Sequence, residues 1–368
     1  MAEENATGDV PTGRRWWPWG LVAVLLCGIV LRLIWPEVME FKLDEQWFFE
    51  KCMTVGRSEP VPMTALHSSV GPDNPIQSLL VWIALARLFD VQEPPDLGTA
   101  IHVVNVAALL LLAGYSLWGV RRDEREPWLW ATALAAVNPF TLLFHRKIWQ
   151  PSILPIVLVL MLICWQRRER PWPAFFWGLL SLLTMQIHLA GLFLTLGFLF
   201  WTLVFEDRRL HWKAWFWGSA LGGLGLLPWL HYVFFDYLAH PVARSHWPRF
   251  FPVQFWIHWT TEPLGLGMRY ALGHDFTDFL QWPLVAGRPT YLVAITHAAL
   301  IVAGLTIFYR ALVSFVRERR AGRMLWQTVT TPVLQPVYAV CFGYGLLLTW
   351  SCLGYYRHYH ILSFPFMF

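Results

Sequence analysis

Asn74-Pro75-Ile76-Gln77-Ser78-Leu79-Leu80-Val81-Trp82-Ile83-Ala84-Leu85-Ala86 is the segment on which the topology of this chain turns. It is apolar, but it offers only 13 residues between Asp73 and Arg87. A bilayer crossing needs about 20, so a short helix lying at the membrane surface fits better. The choice sets the side on which every later loop falls. If 74–86 stays at the surface, Arg14-Arg15, Arg121-Arg122-Asp123-Glu124-Arg125, Arg167-Arg168-Glu169-Arg170, Asp207-Arg208-Arg209 and Arg317-Glu318-Arg319-Arg320 share one side. That side then holds 16 Lys and Arg against 11 on the other, with Arg32 inside the first apolar run. If 74–86 crosses, every basic loop after the first turns outward, against the positive-inside rule. The surface placement is therefore expected.

Working outward, the rest of the chain is built for lipid. Its 368 residues are 56% hydrophobic and 14% charged, where a soluble domain carries about 25% charged residues. Mean hydropathy is +0.44. The expected fold class is all-α, a polytopic transmembrane helical bundle forming one domain over 1–368. Apolar runs cover 16–36, 98–120, 127–145, 148–166, 214–235, 291–309 and 332–356, and the 35-residue run 171–205 suits two short spans turning near His188, giving about nine spans. Met1 to Gly13 lacks a cationic start and a cleavage site, so the first run stays as a span and the N-terminus is cytoplasmic. The outer face then receives the loops 37–97 and 236–290, the turns at His145 to Gln150 and near His188, and the tail from Tyr355. The chain stops at Phe368, about where another span should begin, as a truncated piece of a longer protein would. No internal repeat or soluble domain is evident.

Formal net charge is +4, which points to no nucleic-acid partner. Cys27, Cys164, Cys341 and Cys352 lie in or beside apolar runs and Cys52 in a polar loop, with no CxxC, so neither a disulfide framework nor a cysteine metal site is indicated. Interfacial belts explain most of the 24 Trp, and stacking on sugar rings could explain a few.

Candidate chemistry gathers on the outer side. Asp44-Glu45 lies just past the first span, where adjacent carboxylates near lipid face water, a partner or a substrate. They read either as a solvated pair or as a general base or substrate-orienting acid. Asp73 sits in Gly71-Pro72-Asp73-Asn74-Pro75, an ordinary turn and helix start. His67 with Asp44, Glu45 or Asp73 could hold a divalent cation, the one cofactor the pattern raises, although the spacing is not diagnostic. Phe144-His145-Arg146-Lys147-Ile148-Trp149-Gln150 could bind a phosphate through Arg146 and Lys147, or simply snorkel. Gly354-Tyr355-Tyr356-Arg357-His358-Tyr359-His360 offers a second phosphate clamp, or an aromatic belt with one Arg. His188, after Gln186, reads as a hydrogen-bonded span end or a substrate contact. In 236–290, His240, Arg244, His246, Trp256, His258, Trp259, Arg269, His274, Asp275 and Asp278 could shape an acceptor site, but none stands out. There is no G-x-x-x-x-G-K, G-x-S-x-G or HExxH.

The order of these features resembles the GT-C superfamily of lipid-linked-sugar glycosyltransferases, closest to the family 39 type that includes protein O-mannosyltransferases and the aminoarabinose transferases of lipid A. Leu43-Asp44-Glu45-Gln46-Trp47-Phe48 looks like that family's Asp-Glu motif after the first span. Asp73-Asn74-Pro75-Ile76 into Gln77-Ser78-Leu79-Leu80 resembles its Pro-Pro-Leu surface helix, with Ile76 in place of the second proline. Gly98 to Arg122 looks like the following span. Asn138-Pro139-Phe140 through Arg146 and Trp149 resembles the third-span exit, and Met185-Gln186-Ile187-His188 the Thr-His turn with Gln186 for Thr. Tyr356-Arg357-His358-Tyr359 with Pro365 resembles the late Arg-Tyr segment. The resemblance spans nearly the whole chain and itself requires 74–86 to lie at the surface.

It implies an inverting transferase that moves a sugar from a polyprenyl-phosphate donor to a lipid, polysaccharide or protein acceptor, at the periplasmic face of a bacterial inner membrane. Asp44, Glu45 and Asp73 would be catalytic. Arg146, Lys147 and Arg357 would neutralise the phosphate. His67, His188, Trp149 and Tyr356 would contact substrate. The runner-up from another class is a transporter or flippase for a lipid-linked or anionic solute. That reading calls for repeat symmetry and midplane charges, whereas the ionisable residues here gather at one face.

Overall fold

The computed structural model describes residues 17–68, 71–206, 209–239, 253–320, 334–351 and 353–368. The expectations placed on Arg14, Arg15, Asp207, Arg208, His240, Arg244, His246 and Cys352 fall outside them. Among the described residues the fold is all-α, with one small antiparallel hairpin, Leu284–Val285 against Arg288–Pro289.

Helix α1 (Trp17–Leu33) is followed by α2 (Leu43–Thr54) and α3 (Gln77–Leu88). α4 (Pro94–Gly114) opens on two prolines, with Asp96 accepting from the Gln92 and Glu93 amides at 3.0 and 2.9 Å. Proline at a helix start and a carboxylate at the third position satisfy donors that would otherwise be orphaned. The helix continues through a π-turn to Gly119. α5 (Arg125–Val137) and α6 (Pro139–His145) fill the run expected as one straight span, but they bend by 60° at Asn138-Pro139. Pro139 removes a ladder donor, and the Asn138 side chain caps the new helix by accepting from Phe140 and Thr141 at 3.0 and 3.2 Å. α7 (Leu154–Gln166), α8 (Pro171–Ile187), α9 (Gly191–Phe205), α10 (Trp212–Gly223) and α11 (Leu227–Tyr232) follow, then α12 (Gln254–Thr261) in the large loop. A 29-residue helix, Leu292–Arg320, precedes the helical stretch Gln335–Trp350, and a 3₁₀-helix, Arg357–Ser363, closes the chain's described elements.

Every predicted apolar run carries helix, but several helices are short. Among the described residues two are long and apolar enough to cross a membrane, Pro94–Gly119 with 26 residues and Leu292–Ser314 with 23, and the bent α5–α6 pair makes a third if it counts as one span. Leu292–Arg320 leaves Ile295, Val302, Leu305, Ile307 and Phe308 exposed, so its first two-thirds presents apolar surface that the other described residues do not cover.

Three findings add to or differ from the sequence reading. First, the short helix α3 buries part of its apolar surface inside the protein. Leu79 and Trp82 are fully buried, and Trp82 lies against Phe48 of α2 at 6.0 Å between ring centroids. With Val91, Leu97, Ala100 and Ile101 they form a core of their own, so 37–68 and 71–97 make a folded cap against the bundle. Second, Cys52 belongs to that core and is 1% exposed, and burial pushes its thiol pKa up to about 12. Third, the segment after Tyr355 is not an external tail. Ile361, Leu362 and Phe364 are buried in the main core, with Phe364 against His145 and Phe366 against Phe198. Much of this segment is 3₁₀-helix, and such non-α backbone is tolerated within an apolar bundle where protein surrounds it.

Candidate functional site

The cap and the adjoining helix ends enclose a cavity of about 660 Å³. Its wall includes Asp44 at the start of α2, His67 and Asn74 from the cap, Trp149 and Gln150 from the turn after α6, His188 between α8 and α9, and His358 and Tyr359 from the closing segment. Residues from five separate stretches of sequence, all expected at one face, therefore meet at one chamber.

Asp44 and Glu45 are adjacent in sequence but have different surroundings. Glu45 is the third residue of α2, where its carboxylate accepts from the Lys42 amide at 3.0 Å in a capping arrangement, and it is 3% exposed. Lys147 sits 3.4 Å from it. Asp44 is exposed and has no hydrogen bond or ion pair among the described residues. A helix turns by about 100° per residue, which separates a structural acid from an available one.

Asp73 meets His67, with Oδ1 2.5 Å from Nδ1. Of the four ligands considered for a divalent cation, only this pair meets, and no cluster of three metal-binding side chains occurs among the described residues.

The three cations all have partners. Arg146 donates to the carbonyls of Leu31, Ile34 and Trp35 at 2.7, 2.9 and 2.7 Å, capping the C-terminal end of α1. Lys147 pairs with Glu40 and Glu45. Arg357 makes a two-pronged pair with Glu262, at 2.7 Å from Nε and 3.0 Å from the guanidinium terminus, and lies over the Phe140 ring. Arg146, Lys147 and Arg357 therefore do not form one clamp. Arg32 is fully buried, donating to Gly28 O at 2.9 Å and to Thr141 Oγ1 at 3.2 Å, with His145 Nδ1 also at 3.2 Å.

Glu262 is the functional-looking side chain that the sequence reading passed over. It is fully buried, and its backbone carbonyl accepts from Asn138 at 2.7 Å. Burial pushes its carboxyl pKa up, but His258 at 3.2 Å and Arg357 outweigh that and hold it below the usual carboxylate value. The available signal was a lone acid four residues after His258 in an aromatic run.

The aromatic candidates do assemble. Trp149 meets His358 edge-on at 4.7 Å, Tyr356 stacks on His358 at 5.5 Å, and His188 lies 4.9 Å from Tyr359. His188 Nδ1 accepts from the Ala190 amide at 3.3 Å, and burial lowers its pKa to about 4, keeping the ring neutral.

Two smaller pockets follow from the chamber, the first sharing one residue with it and the second sharing residues only with the first. One, of about 530 Å³, shares Asp44 with it and is otherwise lined by Glu40, Lys42, Glu45 and Lys147 among others. The next, of about 460 Å³, shares Glu40 and Lys147 with that pocket and is lined by Leu31, Val38, Leu142 and Leu143. The 460 Å³ pocket is apolar on one side and carries Glu40, Arg146 and Lys147 on the other, the 530 Å³ pocket is mostly charged, and the chamber is aromatic and imidazole-rich. No protein-family model matches the chain, and no significant match was found among curated proteins or solved structures.

Proposed function

We propose that this chain is a polytopic membrane glycosyltransferase of about nine spans, working on a polyprenyl-phosphate sugar at its outer face. The supporting observation is the order of the three joined pockets. A donor of this kind is apolar, then anionic, then polar along its length, and the pockets run in the same order. The lipid tail enters between α1 and α6, the phosphate meets Lys147, and the sugar reaches the chamber bordered by Asp44 and Trp149. Lys147 is the cation that borders both smaller pockets, so it takes the phosphate role in place of a three-residue clamp. Departure of polyprenyl phosphate in one in-line displacement inverts the anomeric carbon, and no nucleotide is needed.

Membrane residence is supported by the uncovered apolar surface of Leu292–Arg320, which requires lipid or a partner. The basic loops support an outward-facing site, and the family resemblance supports a bacterial inner membrane. The carrier reading finds less support, because Arg32, the charge within the first span, is held by fixed protein groups.

The test is native mass spectrometry with undecaprenyl-phosphate mannose, glucose and arabinose. Wild type is expected to retain one of them, Lys147→Ala to lose it and Asp44→Asn to keep it. Failure of wild type to bind any of the three counts against the proposal.

A further inference from the structure

Asp44 is the obvious acid in the chamber, but the geometry points to another proton acceptor. Resting on the glycosyltransferase reading above, we infer that His67 is the general base of the transfer and that Asp73 positions it.

The pair is built into the cap. His67 and Asp73 face each other across a short antiparallel bridge at Thr64 and Pro75. Three hydrogen bonds close it: the Ala65 amide to Asn74 O at 2.8 Å, the Asn74 amide to Leu66 O at 3.1 Å, and Asn74 Nδ2 to the same carbonyl at 2.8 Å. From α11, Trp229 Nε1 donates to the backbone carbonyl of Asp73 at 2.6 Å. A carboxylate only accepts, so Oδ1 at 2.5 Å places the imidazole proton on Nδ1. Nε2 is left with its lone pair available, on a ring that borders the chamber and is 53% exposed. This is the arrangement by which a carboxylate sets a histidine's tautomer and stabilises the imidazolium that forms.

Asp44 lacks such a support, since no partner among the described residues fixes its carboxylate. It suits hydrogen bonding to sugar or acceptor hydroxyls at the junction of two pockets. His188 also borders the chamber, but its Nδ1 already accepts from Ala190.

The step balances without a co-reactant. The acceptor oxygen forms a bond to the anomeric carbon as the bond from that carbon to the phosphate oxygen breaks. The bonding pair leaves with polyprenyl phosphate. The acceptor's proton passes to His67 Nε2, and the imidazolium beside Asp73 later returns it to water.

The experiment uses the full chain in nanodiscs with undecaprenyl-phosphate mannose, glucose and arabinose, each labelled in the sugar, and with water, an octyl glycoside or a Ser/Thr peptide as acceptor. His67→Gly is expected to lower kcat by about 10²–10⁴-fold with the donor KM unchanged, and added imidazole to restore part of the rate. Asp73→Asn, whose amide would donate to Nδ1 and reverse the tautomer, is expected to lower kcat in wild type and to have no further effect in the His67→Gly background. If wild type turns over and His67→Gly keeps its rate, or loses it without imidazole rescue, the base assignment is overturned while the transferase reading stands. If wild type neither binds nor turns over any donor, both fall together.

Discussion

Glu262 is an acid whose burial is offset by specific partners. It is fully buried and accepts from Arg357 through both carboxylate oxygens. Removing one member of a buried pair costs about 3–5 kcal/mol, because the other is left as an unpaired charge. Glu262→Ala is therefore expected to lower the melting temperature of the detergent-solubilised protein sharply, and Glu262→Ala with Arg357→Leu to recover much of the loss. Equal destabilisation in single and double variants would refute the pairing argument. The carboxyl pKa is lower in the folded chain, so this contribution is complete above the unfolded carboxylate range and fades as pH falls through the folded value. His188 acts in a higher window. Its folded pKa is about 4, against about 6.5 unfolded. The unfolded chain binds the extra proton, so stability falls as pH drops from about 6.5 toward 4. His188→Phe should flatten that part of a melting-temperature profile.

At the scale of elements, α2 shows why neighbouring carboxylates need not share a role. Glu45 caps the helix and faces Lys147, so Glu45→Ala should cost about 1 kcal/mol or more, while Glu45→Gln keeps the cap and most of the stability. Thermal melts of the two variants decide it, and equal losses would count against the capping role. The α8–α10 pair depends on close backbone approach. A Cβ on Gly218 would land on the backbone of Phe175, and one on Gly222 would lie 2.8 Å from the Leu179 carbonyl. Small residues at such a contact let apolar helices pack closely. Gly218→Leu is expected to destabilise by about 1–3 kcal/mol, and unchanged melting would show that the helices can separate without penalty. Helix starts at Pro94-Pro95 and Asn138-Pro139 carry a local sequence signal, because capping and proline sterics act over a few residues, although the reading of 98–120 and 127–145 as plain apolar runs passed over it. The 60° bend at that second site is less legible, since it also depends on Asn138 donating to the Glu262 and Pro263 carbonyls more than a hundred residues away.

For the whole molecule, the topology makes a direct prediction. In intact cells, a cysteine placed at Ser58 in the cap should react with a membrane-impermeant maleimide, and one at Arg122 should react only after permeabilisation. The reverse pattern at Arg122 would mean that α3 crosses the bilayer. The α3 helix has 12 residues, which rise only about 18 Å, and it is packed against α2. Length, hydropathy and basic-loop bias were enough to read an all-α chain and the gathering of Asp44, His67, Trp149 and His188 at one end, because segment hydrophobicity and loop order are properties of the linear chain. The partners of those residues could not be read there. Arg357 and Glu262 are 95 positions apart, Arg146 reaches back to α1, and Lys147 lies between acids of the cap. Which carboxylate stays available and which cation is committed depends on where the folded backbone brings distant side chains within a few ångströms, and local sequence pattern holds no record of that distance.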